Sequence, residues 1–399
     1  MTDERRDNEI REELERAKAA PRRPLRLRRF LPPLLLALAV LGAVAFAATR
    51  NVESMDSLRR MLSYNKARQG ADGRTELFRF DSDRSATYRL LGGKLLIVST
   101  ARASLLGEDG GELWSRSVNF TNPAVAVGGR TAAVYDVGGK ELYIVGARGL
   151  VREMGDACGN GILSVSINGS DYLALTTLKS GCRAAVSVYA PSGEPVFTFN
   201  SSERYISDAC VLSDNRRLAA VTLGETNGVF ACTLSFYAFD SEQALSTVTL
   251  DGSTPLSLRG FGGALALLGD DRLTVFSADG SLLGTYRYPY PYLRGESSGS
   301  PDFAVLLLSR YRSGSTLRCV TVNAEGDVLG TLDARREILD VSAAGRYIAV
   351  LYSGSLTIYT ADFTEYATLP DTDFARQVVM RDDGSAVLLG ASRAWLYSP

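Results

Sequence analysis

Short apolar runs separated by turn residues fill the chain from Thr75 onward. The runs are rich in Val, Leu, Ile, Tyr and Thr, and Gly, Asp and Asn punctuate them. Runs of this length and composition are typical of β-strands, and no stretch in this region is long enough to predict a helix. Residues 75–399 are therefore predicted to form an all-β domain.

One unit recurs along this domain: an apolar strand, a small tight turn and a second apolar strand. Successive turn centres are 39, 44, 48, 39, 46 and 37 residues apart, which is the period of a four-stranded β-propeller blade. Glycine is expected at these turns because a tight hairpin needs a positive φ. The aligned turn centres are Gly110, Gly149, Gly193, Ser241, Gly280, Gly326 and Phe363.

Each repeat also contains a strongly apolar strand, and an eighth such strand follows at Val387 to Gly390. The pattern predicts a propeller of about eight four-stranded blades, with seven as the alternative. The last blade lacks an outer strand, while the strand Glu76 to Phe80 has no blade of its own. Pairing the two would close the ring and remove open sheet edges.

A different pattern precedes the domain: Phe30 to Thr49 is a run of twenty residues without a charge. As a helix it would span about 30 Å, the thickness of the hydrocarbon core of a bilayer. Arginines cluster before this run, so the positive-inside bias predicts a cytoplasmic N-terminus and an extracytoplasmic propeller. A signal peptide cleaved near Ala45-Phe46-Ala47 is the competing interpretation, and the long charged segment before the run favours retention as an anchor.

These patterns divide the chain into four parts. Residues 1–29 form a basic cytoplasmic tail, 30–49 a transmembrane helix that contacts the cytoplasmic membrane, 50–74 a stalk helix and linker, and 75–399 the propeller. The stalk helix is predicted from the helical spacing of its apolar residues before Gly70. These residues are Met55, Leu58, Met61 and Leu62.

The composition limits the chemistry. The chain contains no histidine, which removes the usual general base and the commonest transition-metal ligand. Its formal net charge of -1 disfavours binding to nucleic acid. We expect no catalytic residues, no metal site and no bound cofactor.

The period and turn pattern resemble those of WD-repeat-like and quinoprotein-like propellers. The arrangement of basic tail, single helix and propeller is similar to an uncharacterised family of bacterial single-pass membrane-anchored β-propeller proteins. Regular Gly-His and Trp-Asp dipeptides are absent, and Trp114 and Trp395 are the only tryptophans. The repeated tryptophan motif of quinoprotein dehydrogenases is therefore missing. The resemblance implies a propeller fold and does not indicate an activity.

A run of alternating tyrosines is the most unusual local feature. Such tyrosines would form an exposed aromatic shelf for a glycan or peptide, because Tyr offers a large contact area at little entropic cost. The alternative, which we favour, is a strand whose tyrosines pack between blades. The candidate binding residues are Tyr286, Tyr288, Tyr290 and Tyr292.

Four of the five cysteines fall into two similar pairs, Cys158 with Cys182 and Cys210 with Cys232. In a blade, the loops that hold each pair lie on the same face, and disulfides persist outside the cytoplasm. Disulfides within each pair, disulfides across blades and buried free thiols all remain open. Cys319 is expected to be a buried free thiol.

The leading functional hypothesis is a non-enzymatic binding or scaffolding module on the outer side of the cytoplasmic membrane, with an envelope protein or glycan as its partner. The alternative is a carboxylate-dependent enzyme that acts on an envelope polysaccharide or peptide. Two acidic residues from different blades would have to converge in a pocket for the second hypothesis to hold.

Overall fold

The computed structural model describes residues 56, 60, 74–80, 86–108, 110–226, 229–250, 252–313, 317–334 and 336–399. Within these residues, 32 strands form eight antiparallel four-stranded sheets. The prediction of eight blades is confirmed, and the alternative of seven is wrong. The predicted transmembrane helix at Phe30 to Thr49 lies outside the described residues, and no helix among the described residues is long and apolar enough to cross a membrane.

Blades 1 to 7 each take four consecutive strands, of which the first is innermost, and blade 8 takes the last three strands of the described chain together with its first strand. The first strand of the chain, β1 at Arg74–Arg79, belongs to blade 8. Blades 1 to 4 follow it along the chain. They are β2 Thr87–Leu91, β3 Lys94–Val98, β4 Arg102–Leu106, β5 Glu112–Ser117; β6 Pro123–Val127, β7 Thr131–Asp136, β8 Leu142–Gly146, β9 Gly149–Glu153; β10 Ile162–Ile167, β11 Leu173–Thr177, β12 Ala184–Tyr189, β13 Pro195–Ser201; and β14 Tyr205–Val211, β15 Arg217–Thr226, β16 Val229–Ala238, β17 Ala244–Leu250.

Blades 5 to 8 complete the ring, and a 3-10 helix at Gly155–Cys158 precedes β10. The strands of these blades are β18 Pro255–Phe261, β19 Ala264–Gly269, β20 Arg272–Phe276, β21 Leu282–Arg287; β22 Tyr292–Ser297, β23 Phe303–Ser309, β24 Leu317–Asn323, β25 Val328–Asp333; β26 Ile338–Ala344, β27 Tyr347–Tyr352, β28 Ser355–Thr360, β29 Glu365–Pro370; and β30 Gln377–Met380, β31 Ala386–Leu389, β32 Arg393–Tyr397.

Strand β1 supplies the missing outer strand of blade 8. It pairs antiparallel with β32, from Arg74 opposite Tyr397 to Arg79 opposite Arg393. The predicted closure between the two ends of the domain is therefore confirmed. Closure in this way gives blade 8 its fourth strand and joins the two ends of the domain in one sheet.

The hairpin turns lie where the repeat places them, between the third and fourth strands of blades 1 to 7. The five glycines at these turn centres all have a positive φ, as expected. Ser241 and Phe363 are the two turn centres without glycine, and Phe363 adopts a φ of 61° despite its side chain. Its ring packs edge-on against Tyr359, with 5.8 Å between ring centroids, an arrangement that is favourable for two aromatic rings.

The hydrophobic core consists of eight clusters, one between each pair of neighbouring blades. The second strand of each blade is buried on both faces, which explains why these strands are continuously apolar in the sequence. In β3, for example, Leu95, Leu96, Ile97 and Val98 are all buried. Packing between blades therefore stabilises the ring all the way round.

The propeller has two faces, which we name by their connections. The turn face carries the turns between first and second strands and between third and fourth strands. The loop face carries the links between blades and the loops between second and third strands.

Arg60, which is helical and buried, donates a hydrogen bond from Nη1 to the carbonyl of Asp383 over 2.7 Å. Asp383 lies in the turn between β30 and β31, so Arg60 is bound at the turn face.

Candidate functional site

The tyrosine run connects blade 5 to blade 6. Tyr286 lies in β21, Tyr288 and Tyr290 lie in the link, and Tyr292 begins β22. The first three pack against the cluster between these blades. The Tyr288 hydroxyl donates to the carbonyl of Gly269 over 3.2 Å, and burial raises the pKa of this phenol.

Only part of this run is available to a ligand. The ring of Tyr290 is covered by the guanidinium of Arg318, 4.8 Å from the ring centroid. Tyr292, by contrast, is 39% exposed at the loop face. Tyr286, Tyr288 and Tyr290 therefore pack between the blades, as the interpretation that we favour describes. The binding role of the run stays a prediction, and Tyr292 is the member of the run exposed enough to contact a ligand.

Of the alternatives left open for the cysteines, the structure contains the free thiols. All five are free thiols. In blade 4, Cys210 pairs with Ala219 and Cys232 pairs with Leu223, so the two cysteines flank β15 four residues apart. That offset is about 13 Å along the strand, beyond the ~7 Å that a disulfide allows between Cα atoms.

The pair in blade 3 lies in neighbouring loops without bonding. Cys158 ends the 3-10 helix and Cys182 lies between β11 and β12, and the backbone N–H of Asn160 donates to the carbonyl of Leu178 across these loops. The placement of both loops on one face was thus predicted correctly. Each thiol donates instead within its own loop, Cys158 to the carbonyl of Met154 over 3.3 Å.

Two further exposed tyrosines at the loop face were missed in the sequence. Tyr205 begins β14 and is 48% exposed, and Tyr311 follows β23 and is 54% exposed. The guanidinium of Arg183 donates to the Tyr205 hydroxyl over 3.1 Å and lies over its ring. Arg310 lies over the ring of Tyr311, 5.8 Å from its centroid.

The loop face also carries arginines without an acidic partner. Each of them forms an ion pair with no carboxylate among the described residues. Arginine presents a planar fork of donors that suits carboxylates and phosphates. The arginines are Arg183, Arg294, Arg310, Arg312, Arg336 and Arg376.

The central channel is lined by the first strand of each blade. Among the described residues of these strands, three side chains are acidic: Asp208, Glu296 and Asp340. Each is engaged with the neighbouring blade, since Asp208 and Asp340 accept backbone N–H groups and Glu296 pairs with Arg259 over 2.6 Å. All three acidic side chains thus have a partner in the neighbouring blade.

Arg89 in β2 is an exposed cation of the first strands. It corresponds to Arg259 on the opposite side of the ring, because each lies two residues before the last residue of its strand and a Gly-Gly turn follows. Arg259 pairs with Glu296, whereas Arg89 donates to the carbonyl of Tyr88 over 2.9 Å and forms no ion pair within 4 Å of a carboxylate among the described residues.

The fold and these surfaces define an eight-bladed, WD40-like β-propeller. Similar solved structures include the C-terminal WD40 domain of Sif2, with a TM-score of 0.56 and 13% identity over 82% of this chain and 98% of that one. Sqt1 of Saccharomyces cerevisiae has a TM-score of 0.57 and 11% identity over 81% and 99%. The computationally designed Ika8 protein has a TM-score of 0.55 and 10% identity over 81% and 99%.

The sequence also matches a family. Residues 69–366 match the family of unknown function DUF5711, and the chain belongs to that family. No curated protein matches the sequence. At 10–13% identity the structural neighbours share the fold, and fold alone does not determine function.

Proposed function

We propose that the protein is a non-enzymatic binding module displayed on the outer side of the cytoplasmic membrane, and that its loop face binds an anionic envelope protein or glycan. The observation that carries this proposal is the combination, on that face, of exposed tyrosines and of arginines without an acidic partner. Tyrosine supplies contact area and arginine supplies charge and directional hydrogen bonds.

Two contacts of the described chain leave this face open. Arg60 is bound at the turn face, and β1 begins at Arg74 beside Tyr397, where a turn between third and fourth strands would lie. Neither residue therefore covers the loop face that we propose as the binding surface.

The use of the acidic residues supports binding rather than catalysis. A carboxylate-dependent enzyme needs one carboxylate that gives a proton and another that attacks or activates water. Asp208 and Asp340 are instead committed to backbone N–H groups, and Glu296 to Arg259. We therefore give the enzymatic alternative no further weight.

The test is crosslinking of the full-length protein in its native membrane, followed by affinity capture and mass spectrometry. The variant Tyr205→Ala/Tyr292→Ala/Tyr311→Ala removes the exposed rings of the loop face. The matched control, Leu245→Ala/Leu282→Ala/Val328→Ala, removes three exposed apolar side chains at the starts of fourth strands. We expect a partner that the wild type and the control recover and the tyrosine variant loses at least tenfold.

Recovery of the same partners by both variants would contradict the loop face as the binding surface. A protein that remains a lone monomer under all mild conditions would contradict the binding function itself. The location has its own test, because a protease added to cells without a wall should digest the propeller. Protection of the propeller in these wall-less cells, with digestion once they are lysed, would contradict an extracytoplasmic location.

A further inference from the structure

A cleft of about 680 Å³ lies between blades 2 and 3 on the turn face, away from the loop-face surface. Its walls are the first turn and the outer hairpin of each blade. This volume is within the range of small-molecule sites. The residues that define its chemistry are Arg130, Arg148, Arg152, Asp171, Leu150 and Val151.

The cleft has more positive than negative charge. Arg130 pairs with Asp171 over 3.0 Å, and the Asp171 carboxylate also accepts the backbone N–H groups of Arg130 and Thr131. Together these hydrogen bonds hold the pKa of Asp171 below its usual value although burial acts against them. The Asp171 carboxylate is therefore already fully hydrogen-bonded, and its negative charge offsets the positive charge of Arg130.

The other two arginines are not balanced in this way. Arg152 reaches across the cleft and donates to the backbone carbonyl of Ser192, which carries no charge. Arg148 is exposed and has no hydrogen-bond or ion-pair partner among the described residues. With three arginines and one aspartate, the lining has a net charge of +2.

Apolar side chains also line the cleft beside these arginines. Ile144, Met154 and Leu173 are buried in the walls of the cleft. At its rim, Leu150 is 37% exposed and Val151 is 56% exposed. A cation-lined cleft with an apolar rim suits a ligand that has an anionic head and a hydrocarbon chain.

We propose that this cleft binds an anionic amphiphile, with its carboxylate or phosphate on Arg148 and Arg152 and its hydrocarbon chain along Leu150 and Val151. The ligand is either a free amphiphile or the exposed part of an anionic lipid. The proposal does not rest on the loop-face function, because the two sites lie on opposite faces and share no residue.

A natural reporter lies next to the cleft. A Cβ at Gly149, a residue of the cleft lining, would lie 2.9 Å from Cβ of Trp114, so the tryptophan packs against this wall. Trp395, in blade 8, is the other tryptophan of the chain. The substitution Trp395→Phe therefore makes the intrinsic fluorescence a report on Trp114 alone.

The experiment titrates the full-length Trp395→Phe protein with dodecyl phosphate below its micellar concentration and follows Trp114 fluorescence. Inorganic phosphate and dodecyl maltoside are the head-only and uncharged-chain comparisons. We expect saturable binding of dodecyl phosphate at least tenfold tighter than of either comparison. Arg148→Gln/Arg152→Gln should weaken it at least tenfold, whereas Arg216→Gln, an exposed turn-face arginine in blade 4, should leave it unchanged.

Three outcomes would overturn the proposal. Dodecyl maltoside or inorganic phosphate could bind as tightly as dodecyl phosphate, or dodecyl phosphate could bind the double variant as tightly as the wild type. The absence of any saturable response in the folded protein would also overturn it. Vesicles of phosphatidylglycerol, compared with phosphatidylcholine, distinguish the sources. A response to the anionic vesicles identifies a membrane lipid, and a response to the monomeric probe alone identifies a free amphiphile.

Discussion

The carboxylate of Asp340 accepts a hydrogen bond from the backbone N–H of Val378 over 2.9 Å and so joins the first strand of blade 7 to that of blade 8. Asp208 makes the corresponding bond from blade 4 to the N–H of Leu258 in blade 5, over 2.8 Å. First strands have an edge without a strand partner in their own blade, so their N–H groups need acceptors from elsewhere. At these two positions an aspartate is the acceptor.

Burial makes Asp340 a source of pH dependence. Loss of solvation raises the pKa of its carboxyl to about 6, although two backbone N–H groups favour the charged form. The folded protein therefore binds this proton more tightly than the unfolded chain between about pH 4 and pH 6, and the contribution of Asp340 to stability falls as the pH rises through this range. The loss by pH 7 is on the order of 2–3 kcal/mol.

The measurement is urea unfolding of the wild type and of Asp340→Asn from pH 4 to pH 7. The free energy of unfolding of the wild type, minus that of the variant, should fall as the pH rises, because asparagine does not titrate. A difference that stays constant across this range, or rises with pH, would contradict the raised pKa of Asp340. Taking the difference removes the contributions of the other carboxyls.

Arg60 precedes the propeller strands in the sequence, and its contacts with blades 7 and 8 should stabilise the propeller. It is 6% exposed and donates to the Asp383 carbonyl and, over 3.0 Å, to the Tyr366 hydroxyl. Arg60→Ala leaves both acceptors without this donor and should cost about 1–3 kcal/mol in the free energy of unfolding. Arg376→Ala, which removes an exposed arginine, should cost less than about 0.5 kcal/mol. Equal midpoints of thermal unfolding for the two variants would show that the Arg60 contacts contribute nothing.

The blade count was predictable because each blade repeats the same apolar strands and the same turn. Ser241 and Phe363 could be placed at turns without glycine, since the period of their neighbours fixed where a turn must fall. The candidate surface could not be predicted in this way. Tyr205 and Tyr311 lie in different blades, and each is an ordinary strand-end or loop residue in the sequence. Their shared face and exposure arise only when the ring is closed.

The tyrosine run and the cysteines are local patterns that did not fix a single outcome. Alternation over Tyr286 to Tyr292 is visible in the sequence, but the link between two blades buries most of these rings in the interface. The similar spacing of the cysteine pairs indicated a common face without fixing the distance between sulfur atoms. In blade 4 the length of the long hairpin β15–β16 separates Cys210 from Cys232.

Thiol counting tests the state of the cysteines. Burial raises the pKa of Cys158 to about 11 and that of Cys319 to about 12, so both should be unreactive at neutral pH. Only Cys182 is more than slightly exposed. Iodoacetamide should modify one cysteine in the folded protein and all five in denaturant without reductant, as counted by mass spectrometry. Denatured protein that takes up one or three labels until reductant is added would instead show disulfides.

Ring closure by β1 makes a prediction about assembly. Deletion of residues 74–79 would remove the fourth strand of blade 8 and leave the edge of β32 without its hydrogen-bond partner. An unpaired edge is a template for pairing with another chain, so the deletion should lower the unfolding temperature and produce oligomers that grow with concentration. A chain that begins at residue 74 retains β1 and serves as the control, and it should remain monomeric by light scattering. If the deletion variant were equally monomeric and equally stable, the two ends of the domain would not depend on each other. We expect the opposite, because the β1–β32 pairing is the contact through which the first and last described strands complete blade 8.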